Sequence, residues 1–177
     1  MFSLQPQELD EIEIKIKHAL EKIPIEANAG IRWSDSAWTR KIKNVVSEIG
    51  HEDLRLSVCA NRCGNSDDPE WLYDLMWLDT ETDEDTNNDL VTDSVLAMEI
   101  EWGGWEDILY DFEKLLVANT KYKVMIFQGY DVEKTAERLI QRVLKFKNPT
   151  LRERYFFIGY DWNSNDFRFK CFRRNES

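Results

Sequence analysis

Between Val95 and Gln128 the spacing of apolar residues changes from two to 3.6 and then to an unbroken run, which limits what the chain can become. Val95 to Trp102 (VLAMEIEW) alternates as a strand, and Gly103 and Gly104 break it. Trp105 to Ala118 then sets Ile108, Leu109, Phe112, Leu115 and Leu116 at helical spacing, and Lys123 to Gln128 reads as a buried strand. A helix of this length is a crossover that lets the two strands lie parallel in one sheet. Parallel strands are buried on both faces, so helices must cover the sheet.

The flanking segments supply those helices. Leu9, Ile12, Ile16, Ala19 and Leu20 form an apolar stripe that should end before Pro24. Ser34 or Asp35 caps a second helix whose inner face is Trp38, Ile42, Val45, Val46 and Ile49, with Gly50 as its stop. Leu54 to Ala60 and Trp71 to Leu78 are expected as a hairpin around the turn-rich stretch Asn61 to Pro69. Asp79 to Asp93 holds seven acidic residues and no basic one, and reads as a mobile solvated loop without the glycine and terminal glutamate of a calcium loop. Asp131 opens a basic helix with Ala136, Leu139, Ile140, Val143 and Leu144 inward, ended by Asn148 and Pro149. Arg154 to Trp162 and Phe167 to Arg173 close the chain as a hairpin. Its apolar residues Phe156, Ile158, Tyr160 and Trp162 exceed what a peripheral ribbon buries alone, which points to a self-association surface and a homodimer. The expected fold class is α/β: one domain over residues 1–177, with a mixed central sheet flanked by helices.

With 177 residues the chain can bury a full core, and no apolar run approaches the roughly 20 residues of a membrane span. Without a basic flank and apolar stretch at the N-terminus, a cytoplasmic protein with no membrane partner is expected. Cys59, Cys63 and Cys171 cannot all pair with one another and lack a second close pair for zinc, so they read as reduced core thiols. The formal charge of −11 argues against coating nucleic acid by bulk electrostatics. Residues 133–174, however, hold 11 Lys/Arg against 5 Asp/Glu, so a phosphate-bearing partner would meet the C-terminal helix and hairpin.

Chemistry is suggested by acids where the pattern asks for apolar residues. The period of two puts Asp74 on a face with Leu72, Met76 and Leu78, and puts Glu99 and Glu101 together with Val95 and Ala97. Two carboxylates about 5 Å apart at an effective dielectric near 20 repel by roughly 3 kcal/mol, so a proton, a cation or solvent must offset them. A divalent metal suits hard carboxylate oxygens on rigid strands, and the helix that follows carries Asp111 and Lys114 one turn apart. Lys114 can lean over the end of the third strand and hold a phosphate or orient a water. Neither His18 nor His51 has a nucleophile that the sequence places beside it, and no glycine-rich phosphate loop follows a strand. Trp71, Trp77, Trp102, Trp105 and Trp162 could stack nucleobases, although aromatics at strand and helix starts more often fill the core.

This order of elements, with an acid on the second strand and acids on the third, resembles the PD-(D/E)XK or restriction endonuclease-like nuclease superfamily. The resemblance covers about residues 35–128 and implies an αβββαβ core, with the first helix and the C-terminal helix and hairpin as additions. It implies Asp74 and Glu99 as ligands of Mg²⁺ or Mn²⁺, and Glu48 as the further acid that some members carry on the first core helix. Glu101 stands where the family has lysine, so Lys114 from the neighbouring helix would take over that function, or the site is degenerate. The implied activity is hydrolysis of phosphodiester bonds in DNA or RNA by Asp74, Glu99, Glu101 and Lys114. The substrate would lie along Lys134, Arg138, Arg142 and Lys145 or along Arg168 and Lys170. The other reading of the same scaffold is a non-catalytic interaction or regulatory protein whose acidic surface meets a basic protein partner.

Overall fold

The computed structural model describes residues 8–28, 33–147 and 153–173. Its helices are α1 (Glu11–Leu20), α2 (Ile23–Asn28), α3 (Asp35–Glu48), α4 (Trp105–Val117) and α5 (Val132–Lys145). Its strands are β1 (Ser57–Ala60), β2 (Leu75–Thr82), β3 (Asp89–Glu101), β4 (Tyr122–Gly129), β5 (Arg154–Asp161) and β6 (Asp166–Arg173). They form one mixed sheet in the order β1-β2-β3-β4-β5-β6. β3, β4 and β5 are parallel, and β1/β2, β2/β3 and β5/β6 pair antiparallel.

Both crossovers, α4 and α5, advance in the same direction along the sheet, so a common hand places them on one face. There Ile108, Phe112, Leu115, Ala136, Leu139 and Val143 bury Met76, Ala97, Met125, Phe127, Tyr155 and Phe157. On the other face, Ile16 and Leu20 of α1 and Trp38, Ile42 and Val46 of α3 cover Leu75, Trp77, Met98, Ile126 and Ile158. The expected mixed α/β architecture is thus present as three layers. Among the described residues no helix is long and apolar enough to cross a membrane.

Several boundaries differ from expectation. The first helix does end before Pro24, at Leu20, but a short second helix, α2, follows with Pro24 in its first turn, where a missing N–H costs nothing. Gly50 does not stop α3. The helix runs on into a π-helical turn, Ile49–Asp53, and Gly50 is needed because a Cβ there would lie 2.4 Å from Trp77 Nε1. Gly50→Ala should therefore lower stability by about 1–3 kcal/mol through overpacking against the fully buried Trp77, read as a lower denaturation midpoint at unchanged m-value.

The acidic stretch Asp79 to Asp93 is not a long loop. β2 continues to Thr82 and β3 begins at Asp89, with Thr82 opposite Asp89, so only residues 83–88 turn. Both faces of this ribbon are wet, which erased the period of two that marks a half-buried strand. The C-terminal hairpin is not peripheral: β5 lies between β4 and β6 with Phe156, Ile158 and Tyr160 buried, so the argument for a self-association surface disappears. Cys59 and Cys171 are buried and Cys63 is half-buried, all as free thiols. Burial and then Glu13 push the Cys171 thiol up to about 12, which keeps it protonated. The expected helix stop at Asn148 and Pro149 lies outside the described residues.

Candidate active site

Three of the acids singled out in the sequence, Asp74, Glu99 and Glu101, lie at the end of the sheet where β3 finishes. The β2/β3 ladder ends with Leu75 opposite Met98, and Asp74 lies one residue beyond it. Its Oδ2 accepts a 2.8 Å hydrogen bond from the Ile100 amide, so a side chain replaces the missing strand partner. Its Oδ1 lies 3.0 Å from the ammonium of Lys43, a buried lysine of α3 that also donates to Glu70 at 3.1 Å. Burial works against the charge on Lys43, but Asp74 and Glu70 more than offset it and raise its pKa.

Glu99 and Glu101 point to the α4 face, as the period of two requires. Glu99 is 2% exposed, and its Oε1 receives no well-directed hydrogen bond although Lys114 Nζ is 2.6 Å away. Burial is the main reason that its carboxyl is pushed up to about 8; Lys114 opposes that shift, while Asp74 and Asp111 add to it. Lys114 also lies 2.9 Å from Asp111 Oδ1, one turn back on α4. Burial disfavours its ammonium, yet the bonds to Glu99 and Asp111 prevail and raise its pKa. Glu101 accepts from the Gly103 amide, and burial followed by a hydrogen bond with Asp111 raises its pKa. The Tyr73 hydroxyl donates to the Lys114 carbonyl at 3.4 Å, beside the same cluster.

Four carboxylates, Asp74, Glu99, Glu101 and Asp111, thus face two ammonium groups, Lys43 and Lys114. With Glu70 on Lys43 and Asp107 beside Glu101 counted as well, carboxylates outnumber ammonium groups six to two, so the cluster is net negative if all ionise and a cation would offset part of that charge. Among the described residues no three His, Cys, Asp or Glu side chains form a ready-made metal cage. Mg²⁺ does not require one, because it keeps several waters and uses one or two carboxylates together with substrate phosphates. Asp74 and Glu99 are carboxylates of the kind that donor set uses, and the Lys114 ammonium now occupies the position beside Glu99 Oε1 that a cation would contest.

Glu48 is not part of the cluster. It is exposed on α3, five residues and about 140° around the axis from Lys43, so the first core helix brings a lysine to Asp74 instead of an acid. Lys43 was missed because it flanks the apolar stripe of Ile42 and Val46, where the charge pattern resembles that of any amphipathic helix. The expected polyanion surface also changes. Lys170 is held by Glu133 and Glu137, Arg168 lies 3.9 Å from Asp161, and the Arg138 guanidinium stacks 3.4 Å from the Trp105 ring centroid. Lys134 begins α5 at the acidic end of the sheet, whereas Lys145 lies eleven residues and about 16 Å further along. A cavity of about 590 Å³ beside His51, Asp67 and Trp71 at the β1 edge contains none of the acidic cluster.

No family model, curated protein or solved structure matches the chain.

Proposed function

We propose that the chain is a metal-dependent phosphodiester hydrolase, a nuclease built on a restriction endonuclease-like core from α3 through β4. The observation that carries this reading is the convergence of Asp74, Glu99 and Glu101 with Lys114 from the crossover helix, its Nζ 2.6 Å from Glu99. The run α3, β1, β2, β3, α4, β4, with β3 and β4 parallel, supports the same reading. Asp74 and Glu99 would hold Mg²⁺ or Mn²⁺, which when bound supplies an acidified water and a counter-charge for the phosphate. Lys43 holds Asp74 in place from behind. Lys114 is close enough to Glu99 to give its ammonium to a phosphate oxygen, in the role that the glutamate at position 101 cannot fill. Glu101, whose pKa burial and Asp111 raise, can accept a proton from an attacking water.

A Mg²⁺ titration tests this reading without a substrate. Binding to Glu99 must displace the proton that its raised pKa retains near neutrality, so calorimetry in two buffers of different ionisation enthalpy should show proton release at pH 7. The melting temperature should rise with Mg²⁺ by mass action, by about 2.7 kcal/mol of stability at a hundred times Kd. Both effects should vanish in Glu99→Gln. If neither effect appears in the parent protein, the reading fails and the acidic interaction protein becomes the better account of the cluster.

A further inference from the structure

On the α3 side of the acidic cluster two cavities adjoin. One, about 350 Å³, is lined by Ser36, Thr39, Arg40, Lys43, Asn61 and Arg62, with one carboxylate, Glu70, that is taken up by Lys43. The other, about 280 Å³, is walled by Trp33, Trp38, Trp102, Tyr130, Tyr160 and Trp162, with the Gln128 carboxamide and the Asp35 carboxylate among them. Trp102 Nε1 donates to Thr39 Oγ1 at 2.8 Å, so a wall of the aromatic cavity is bonded to a wall of the basic one. The basic cavity reaches the acidic cluster through Lys43, whose ammonium touches Asp74.

We propose that these cavities form a track for single-stranded nucleic acid, an inference that rests on the hydrolase reading above. An unpaired base sits among the tryptophans, and the flanking phosphates lie on Arg40 and Arg62 before the backbone passes Lys43 to Asp74 and Glu99. Three observations favour this ligand. Arg40 and Arg62 are exposed and, among the described residues, have no acidic partner, which in a chain of charge −11 leaves them open to phosphate. Trp38 with Tyr160 and Tyr160 with Trp162 pack on one another with centroids 4.8 Å apart, so they make one aromatic wall whose partly exposed members, Trp33, Trp102 and Trp162, offer a base its stacking surface. A base can enter only if its faces and edges are free, which a duplex denies. Gln128 already bonds the Trp102 carbonyl and the Trp162 indole, but its amide retains a second N–H and a second lone pair for a base edge.

The test is fluorescence anisotropy of a labelled 12-nucleotide DNA strand and of its duplex, with the whole chain in EDTA so that nothing is cleaved. The single strand should bind at least about tenfold more tightly than the duplex. Trp33→Ala and Trp162→Ala should each weaken it about tenfold with little change in salt dependence, as expected for a lost stacking platform. Trp162→Phe keeps an aromatic face and should retain most of the affinity, which separates loss of stacking from loss of fold. Arg40→Gln combined with Arg62→Asn should lower the salt slope by about 1.4, for two single-strand phosphate contacts. Asn is chosen at position 62 because Arg62 has a φ of 59°, in the left-handed region. Lys121→Gln with Lys145→Gln makes the same charge change at the end of the sheet where β4 and β5 begin, and should leave binding nearly unchanged. Equal affinity for strand and duplex, neutral tryptophan variants, an equal loss from the Lys121/Lys145 pair, or no binding would each overturn the track. Cleavage that depends on Glu99 but ignores Trp33 and Arg40 would leave the hydrolase reading standing and end this one. Binding with the expected sensitivities but no cleavage would do the reverse.

Discussion

Glu99→Gln is expected to reduce metal-dependent phosphodiester cleavage by about three orders of magnitude while leaving the fold intact, because it removes a charged oxygen ligand but keeps the shape of the side chain. Asp74→Asn should cost a similar factor, since its amide oxygen can still accept from Ile100 N but no longer balances Lys43. The same Glu99 substitution makes a stability prediction of its own. The folded carboxyl titrates near 8, against an ordinary value of 4.5, so between those values the folded chain keeps a proton that the unfolded chain has lost. Stability from this group therefore falls as pH rises through that interval and levels off above about 8. Glu99→Gln should flatten this dependence, and the variant should melt above the parent at pH 9 in the absence of metal. A variant that melts lower at every pH would show that the Lys114 pair outweighs the burial cost and that the carboxylate is ionised throughout.

Arg154→Met should remove about 3–5 kcal/mol of stability, since a buried pair broken on one side leaves a stranded charge. Glu13 is fully buried on α1 and receives Arg154 Nε at 2.9 Å and Nη2 at 2.6 Å. Nη2 also donates to the Glu8 carbonyl at 2.9 Å, while Asp10 caps α1 and accepts from the Tyr122 hydroxyl at 2.6 Å. These contacts tie the first helix to the starts of β4 and β5. The double variant Glu13→Met/Arg154→Met should recover much of the loss, because it removes both charges together. Chemical denaturation of the two singles and the double closes the cycle, and additive losses would mean that the two side chains are not coupled.

The layers, the parallel β3/β4 pair and the common face of Glu99 and Glu101 were legible because burial imposes a period on the sequence. Where burial is absent, so is the signal. Thr80, Glu81, Leu90 and Val91 pair across the ribbon, but nothing covers either side, and composition alone suggested a loop. Trp71 and Leu72 misled in the opposite direction. They look like strand residues yet are 61% and 71% exposed in the approach to β2, so the strand was placed four residues early. Gly50 reads as a helix stop, and only the indole of Trp77 pressed against it explains why the helix continues. Within the cluster, Glu99, Glu101 and Lys114 follow from strand and helix periods, whereas Asp74 lies just before β2 and meets Lys43 of α3, which the strand period does not give. Lys43 and the outward turn of Glu48 depend on how α3 is rotated against the sheet, which local sequence does not encode.

The antiparallel extension of β2 and β3 distributes the protein's charge unevenly. Its seven carboxylates run from the Asp79/Asp93 pair, about 20 Å from Glu99 along β3, to the turn beyond Asp89, more than about 30 Å away. Mobile ions damp such a field over about 8 Å at physiological salt, so this prong hardly influences the end that carries Glu99. A negatively charged polymer would be turned away from the tip and remain free to settle at the opposite pole, so a strongly acidic isoelectric point and a polyanionic substrate are compatible in one molecule.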